Sequence, residues 1–233
     1  MTPAFMNWSG GKDSALALYR AREEYDIRFL FTVVNGAYKR ISIHGVRESL
    51  LDAQAAAVGL PLVKCYLPEF PSMSEYEDAM SRALSGFADE GVKTAIFGDI
   101  FLEDLRIYRE EKLSALGFSA AFPLWKIDTK KVAADFINEG FRAVVVSVDE
   151  RYLGEDHAGR YLDRDFIDSL PSGVDPCGEN GEFHSFVTDG PLFQKAVPFS
   201  FGEKVYRTYK SSDHDAGSIN PPKGFWYCDL IPE

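Results

Sequence analysis

"MNWSGGKDSALALYR" spans Met6 to Arg20. The apolar residues before Ser9 read as the end of a buried strand. The run after Ser14 reads as a helix, with Ala15, Leu18 and Tyr19 on one side. Between them lie two glycines, a lysine, an aspartate and two serines. A glycine-rich turn from strand to helix offers backbone N–H groups to an anion, and the helix amino terminus adds a favourable dipole. Gly10 and Gly11 let the backbone approach a phosphate closely. Lys12 supplies mobile positive charge, and Ser9 and Ser14 supply hydroxyls. The spacing is too short for G-x-x-x-x-G-K-[ST] and does not match G-x-G-x-x-G. An ordinary glycine turn with a helix cap is the competing reading, and the full S-G-G-K-D-S between strand and helix weighs against it.

Outward from this stretch, strand-like and helix-like segments alternate. Pro3 to Trp8, Ile27 to Val34, Leu62 to Leu67, Lys93 to Phe97 and Phe141 to Val148 read as five strands. Helices are expected from Ser14 to Glu24, Val46 to Val58, a capping box at Ser74 to Glu77 onward, Glu103 to Leu116 and Thr129 to Glu139. This alternation implies an α/β fold with a parallel five-stranded sheet covered on both faces. Ligands of such sheets bind beyond the carboxyl ends of the strands. Ser9 to Ser14, Asn35-Gly36, Gly98-Asp99 and Ser147 to Glu150 all fall there, although strand ends are polar in any protein. After about Tyr152 helical periodicity fades. Glu182 to Thr188, Leu192 to Phe201, Lys204 to Tyr209 and Phe225 to Leu230 suggest a smaller α+β subdomain with antiparallel pairing, and Ser211 to Lys223 a loop. The expected division is residues 1–150 and 151–233.

The 233 residues, 45% hydrophobic with 18 Phe, suffice for a large core. A net charge of −11 argues against a broad nucleic-acid surface and so against a nucleic-acid partner. Three scattered cysteines without a C-x-x-C pair give no zinc or dithiol motif and fit a reducing cytoplasm. No signal peptide is visible, and no apolar run approaches the roughly 20 residues of a membrane span. No membrane partner is therefore expected, and the location is read as cytoplasmic.

"DPCGENGEFHSFVTDGPLF", Asp175 to Phe193, packs Asp175, Glu179, Asn180, Glu182 and His184 into a glycine-punctuated segment. Such groups suit substrate hydrogen bonding, Mg²⁺ contact or proton transfer. The same composition also describes a polar hairpin with solvated glutamates.

Ser9-Gly10-Gly11-Lys12-Asp13-Ser14 resembles the PP-loop of the N-type ATP pyrophosphatases. Asp175 to His184 further resembles the signature of the diphthine–ammonia ligase family. His44 in "SIHGV", "GDIFLEDLRIYRE" from Gly98, "FPLW" from Phe122 and "GRYLD" from Gly159 also match, in the expected order over almost the whole chain. The resemblance implies a Rossmann-like, adenine nucleotide alpha hydrolase-like ATP domain and a smaller substrate domain. It implies a ligase that adenylates a carboxylate with ATP and Mg²⁺, releases pyrophosphate and forms an amide with ammonia. Carried over, Ser9, Gly10, Gly11, Lys12, Asp13 and Ser14 would bind ATP with Gly98 and Asp99. Lys12, Asp13, Glu179 and Glu182 would be catalytic. His44, Glu103, Arg106, Asn180, Gly181 and His184 would lie on the acceptor side.

Several of these residues keep a plainer reading. His44 is as readily a helix cap as a site residue, and Trp125 a core residue rather than an adenine-stacking one. Glu103, Arg106 and Glu110 follow helical spacing and would form a solvated ion-pair face. Cys177 reads as packed rather than as a sulfur carrier, which favours amide formation over thiolation. His157 is read as surface.

The implied acceptor is a diphthine-bearing elongation factor. In a bacterial source, which lacks diphthamide, it would be a small-molecule acid such as a cobalamin-precursor side chain. The chain stops before the extra carboxy-terminal domains of many eukaryotic members, which points to a prokaryote. A module that senses ATP or AMP without turnover is the alternative of a different class. General base rates alone favour a homodimer.

Overall fold

A computed structural model describes residues 1–41, 44–68, 71–209 and 223–233. Ser42 and Ile43 of the "SIHGV" match, and residues 211–222 of the expected loop, lie outside the described residues. Strands β1 (Thr2–Asn7), β2 (Tyr25–Asn35), β3 (Leu62–Leu67), β4 (Thr94–Ile96) and β5 (Ser119–Ala121) form one sheet in the order β3-β2-β1-β4-β5. Every pair in it is parallel. Helices α1 (Lys12–Ala21), α2 (Glu48–Val58), α3 (Met73–Asp89) and α4 (Glu103–Ala115) make its crossovers. The chain runs outward through β1, β2 and β3, then returns to place β4 on the other side of β1. The switch in strand order therefore lies between the carboxyl ends of β1 and β4, where open α/β sheets leave a crevice for a ligand. The S-G-G-K-D-S loop leaves one of these strands and Gly98-Asp99 follows the other.

After α5 (Thr129–Asn138), β6 (Arg142–Asp149) starts a second sheet. α6 (Arg164–Asp168), β7 (Phe183–Asp189), β8 (Phe199–Tyr209) and β9 (Lys223–Pro232) follow. This sheet has the order β7-β6-β9-β8 and is antiparallel.

Two expectations need correction. Phe141 to Val148 is not the fifth parallel strand: it is β6, in the interior of the antiparallel sheet, and the fifth parallel strand is β5. β6 is buried at every position after Arg142, so it carries the continuous Val-rich run that usually marks a parallel core strand. β5, a three-residue Ser-Ala-Ala, carries no such run. The capping box is Ser72 with Glu75, not Ser74 with Glu77. Both pairs fit S-x-x-E, and the chain turns helical at the earlier one.

Alternation along β1 sends Phe5 to one face and Ala4 and Met6 to the other. Under α3, Phe87 packs on Phe29, Phe5 and Phe31 with ring centroids 4.5, 4.9 and 5.3 Å away. On the opposite face α1 buries Ala15, Leu16, Ala17 and Leu18 in succession. A helix apolar on several sides needs cover on several sides. The parallel sheet covers one side of α1 and β7 another, within a single hydrophobic cluster. The antiparallel sheet is thus built onto the helix that starts at the glycine loop. Truncating Phe87→Ala should cost about 3–5 kcal/mol of stability, read from urea unfolding curves, because it empties the centre of the aromatic cluster.

Candidate active site

The loop after β1 is a closed set of hydrogen bonds. Gly10 has φ +77°, a region open to glycine at little cost. Gly11 N donates to Ser9 Oγ (3.2 Å), Ser9 Oγ to Ser14 Oγ (3.2 Å), and Ser14 Oγ to Gly11 O (2.9 Å). Gly11 is the N-cap of α1 and has no side chain to cap with. The cap comes from β7 instead: Lys12 N donates to Ser185 Oγ at 3.1 Å. Gly98, placed by the end of β4, lies against the first turn of α1. A Cβ there would sit 2.8 Å from Asp13 C and 3.0 Å from Ser14 N.

Lys12 is 4% exposed. Its Nζ donates to Asp13 Oδ2 at 2.7 Å and to the Cys177 carbonyl. Burial opposes the Lys12 charge, but Asp13, Cys177 and Glu179 outweigh it and raise its pKa. The Asp13 carboxyl is also raised, chiefly by burial, with Asp175 and Asp99 adding to the effect against Lys12. Asp13 Oδ1 is buried without a hydrogen-bond partner among the described residues. Asp99 accepts from Arg109 Nη2 at 3.2 Å.

The segment from Asp175 to Glu182 closes the other side. Asp175 Oδ1 accepts from Cys177 N (2.9 Å) and Glu179 N (3.2 Å). Glu182, 1% exposed, turns its carboxylate back into the loop: Oε1 accepts from Asp175 N and Asn180 Nδ2, and Oε2 from Asn180 N. Asn180 is exposed, and Gly181 makes the turn beside it. Glu179 instead reaches across to the parallel sheet, where Oε1 accepts from Ile100 N at 2.7 Å. Burial, with Asp13 nearby, raises the Glu179 carboxyl to about 7 against the bond from Ile100. The Cys177 thiol is buried, donates to Thr129 O at 3.2 Å, and is pushed far up by burial. It is a protonated, packed group.

His44 and His184 meet beside the loop, with ring centroids 4.6 Å apart. Burial lowers His44 to about 4, helped by Lys12, and drives His184 well below its ordinary value. The pair is therefore neutral near pH 7. His44 Nδ1 lies 3.4 Å from Ser185 O. The His44 loop is tied to β9 by Arg40 and Arg47, both paired with Asp229.

Glu103 and Arg106 are engaged elsewhere. Glu103 is 59% exposed and pairs with Lys126 at 3.4 Å. Arg106 bonds Glu110 and stacks over Phe122 and Trp125, its guanidinium 4.6 Å from the Trp125 ring centroid. Trp125 is half-buried under this cation rather than part of the core. His157 packs its ring edge to face against Phe166.

Two residues escaped the sequence reading. Ser185 is the remote cap of α1. Gln54 of α2 is fully buried and donates from Nε2 to Gly10 O (2.9 Å) and Val187 O (2.6 Å). The only sequence signal for Gln54 is an amide among the alanines of "LLDAQAAAV", where Asp52 is the other polar residue.

Glu179 and His44 act in opposite directions on the pH dependence of folding, with His184 on the side of His44. Glu179 is raised from 4.5 to about 7, so its contribution is fully present below 4.5 and is lost as pH rises through about 7. His44 is lowered from 6.5 to about 4, so its contribution is present above 6.5 and is lost as pH falls through about 4. Glu179→Gln should therefore be more stable than the parent at pH 8, and its stability should fall more steeply between pH 7 and 4.5. Urea unfolding across that range reads both effects.

Residues 2–118 match the family described as the diphthamide synthase N-terminal domain, and residues 128–214 that described as the diphthamide synthase C-terminal domain. A diphthine–ammonia ligase of Schizosaccharomyces pombe is 28% identical over 159 residues, covering 65% of this chain and 25% of that protein. A diphthine–ammonia ligase of Danio rerio is 24% identical over 227 residues, covering 84% of this chain and 86% of that protein. Among solved structures, a predicted subunit of tRNA methyltransferase from Methanocaldococcus jannaschii aligns with a TM-score of 0.40 at 17% identity. That alignment covers 67% of this chain and 84% of the other.

Proposed function

Since this chain belongs to the diphthamide synthase family, we propose that it is an ATP-dependent, AMP-forming ligase that joins ammonia to an activated carboxylate. The observation that carries this reading is Lys12–Asp13 at the glycine loop, faced by Glu179 from the second sheet's loop. The parallel sheet and its helices would take the nucleotide, and the antiparallel sheet the acceptor. The acceptor in the relatives' name is diphthine, so a diphthine-bearing elongation factor is its first candidate here.

A carboxylate is a poor electrophile because its leaving group would be oxide. In the proposed first step an acceptor oxygen attacks the α-phosphorus of ATP, the α–β bridge breaks and pyrophosphate leaves. Gly11 N–H, the α1 dipole and Lys12 would stabilise the charge that develops on the phosphates. Ser9 and Ser14 would brace the loop that holds these donors. In the second step ammonia attacks the acyl carbon, the C–N bond forms, AMP leaves, and a proton must be taken up. Glu179 is our candidate for that proton: one oxygen is anchored on Ile100 N, and its pKa near 7 suits a base at neutral pH. Glu182 would act as a positioning residue that shapes the loop carrying Glu179. The neutral His44 and His184 would line the acceptor side, able to accept hydrogen bonds without adding positive charge beside Lys12.

No group of three or more His, Cys, Asp or Glu side chains among the described residues could hold a metal ion by itself. Asp13 Oδ1, buried and unpartnered, is a hard oxygen that would give Mg²⁺ one protein ligand, the ion otherwise depending on the ATP phosphates. When bound, it would supply neutralisation of the phosphate charge.

The test is product analysis with ATP, Mg²⁺, ammonium and diphthine-bearing elongation factor, beside a panel of small carboxylic acids. AMP and pyrophosphate should form with one acceptor. Lys12→Ala should lower that turnover by roughly 10²–10³-fold while the variant remains folded. ADP and phosphate as products, or no AMP with any acceptor, would overturn the ligase reading.

A further inference from the structure

Gln54 buries a primary amide completely, on a helix whose other buried residues are Leu50, Leu51, Ala55 and Ala57. Its bonds define its orientation. Trp8 Nε1 can only donate, and it donates to Gln54 Oε1 at 3.0 Å. Carbonyls only accept, and Nε2 donates to Gly10 O and Val187 O. Gly10 O also accepts from Val187 N at 2.9 Å.

We propose that Gln54 is a positioning residue of the nucleotide loop, holding the Gly10–Gly11 peptide so that the Gly11 N–H faces the anion. The inference rests on the ATP-ligase reading above. In a trans peptide the C=O and N–H point in opposite directions. With Gly10 O turned toward α2 and β7, Gly11 N–H is turned the other way, where it donates to Ser9 Oγ at 3.2 Å, the acceptor that a phosphate oxygen would replace. A peptide between two glycines can rotate at little steric cost. Rotated, it would present a carbonyl oxygen to a phosphate in place of a donor. Gln54 and Val187 oppose that rotation with two bonds on one oxygen. Because Val187 belongs to β7, the second sheet takes part in shaping the phosphate site as well as the acceptor side.

The experiment uses the full chain and three variants. Gln54→Met keeps length and removes both donors. Gln54→Glu keeps the acceptor for Trp8 but turns an oxygen onto two carbonyls. Trp8→Phe loosens the amide without removing its donors. Dissociation constants for ATP and for adenosine are measured by titration calorimetry, with a thermal melt to confirm folding. Gln54→Met should bind ATP roughly tenfold more weakly, with adenosine affinity unchanged. Gln54→Glu should lose at least as much at pH 8 and recover part of it at acid pH, where a protonated carboxyl can donate one bond. Trp8→Phe should show a smaller loss, again confined to ATP. A loss shared equally by adenosine, or unchanged ATP binding in a folded variant, would overturn the positioning role. If Gln54→Met does not fold, Gln54→Glu and Trp8→Phe decide by the same comparison. Failure of the parent protein to bind ATP would instead overturn the ligase reading, so the two failures are distinct.

Discussion

The carbonyl oxygen of Gly10 is where the two halves of the molecule meet. It accepts from Gln54 on α2 and from Val187 on the second sheet. A buried carbonyl left without partners costs about 1–3 kcal/mol. A loop that turns its N–H groups toward a ligand must therefore find partners for its carbonyls behind it. Here those partners come from a crossover helix of the parallel sheet and from a strand of the second sheet. The glycine loop cannot be regarded as a feature of the parallel sheet alone. Its helix is capped from β7 by Ser185, and its lysine is held by the carbonyl of Cys177.

The same dependence explains the packing. α1 is short, starts at the loop and is buried on several sides. A crossover helix of an open sheet usually turns one face to water. This one is enclosed because the antiparallel sheet is laid over it, within one continuous apolar cluster. The carboxyl ends of β1 and β4 at the switch in strand order are then flanked by the segment that leads into β7, and Glu179 of that segment accepts from Ile100 N. Gly98 completes the fit, since its missing Cβ lets the chain after β4 lie against the first turn of α1.

Much of this was legible in the sequence, for physical reasons. Strong apolar runs and glycine stops mark β1, β2, β3 and the helices between them, because those signals are local. S-G-G-K-D-S is legible as a strand-to-helix turn because its glycines and small polar residues interrupt the apolar runs of β1 and α1. β6 was misplaced because burial on both faces leaves the same Val-rich pattern in an antiparallel sheet as in a parallel one. β5 was missed because three small residues carry no period. Gln54 was missed because its partners lie 44, 46 and 133 residues away, and no window along the chain holds both ends of such bonds. The Arg106–Glu110 pair was legible as helical ion-pair spacing, whereas Glu103 pairs with Lys126 beyond the helix, a partner that spacing along α4 does not indicate.

The two glutamates of "GENGE" show what side-chain type alone does not distinguish. Glu179 and Glu182 are three residues apart and chemically alike, and both sit in a loop beside a buried lysine. Glu182 is fully buried, and both its oxygens accept from N–H groups of its own loop, so its charge is spent on shape. From the other end Asp175, through Oδ1 alone, accepts from Cys177 N and Glu179 N. With the loop held by these two carboxylates, the Glu179 side chain leaves it and bonds Ile100 N beside the parallel sheet. Burial and Asp13 then make ionisation harder for Glu179. A proton acceptor near neutrality needs just such a balance: enough desolvation to raise its pKa, and one anchoring N–H to keep it in place. In the proposed mechanism, the proton-handling role would go to Glu179, the carboxylate that its loop does not consume.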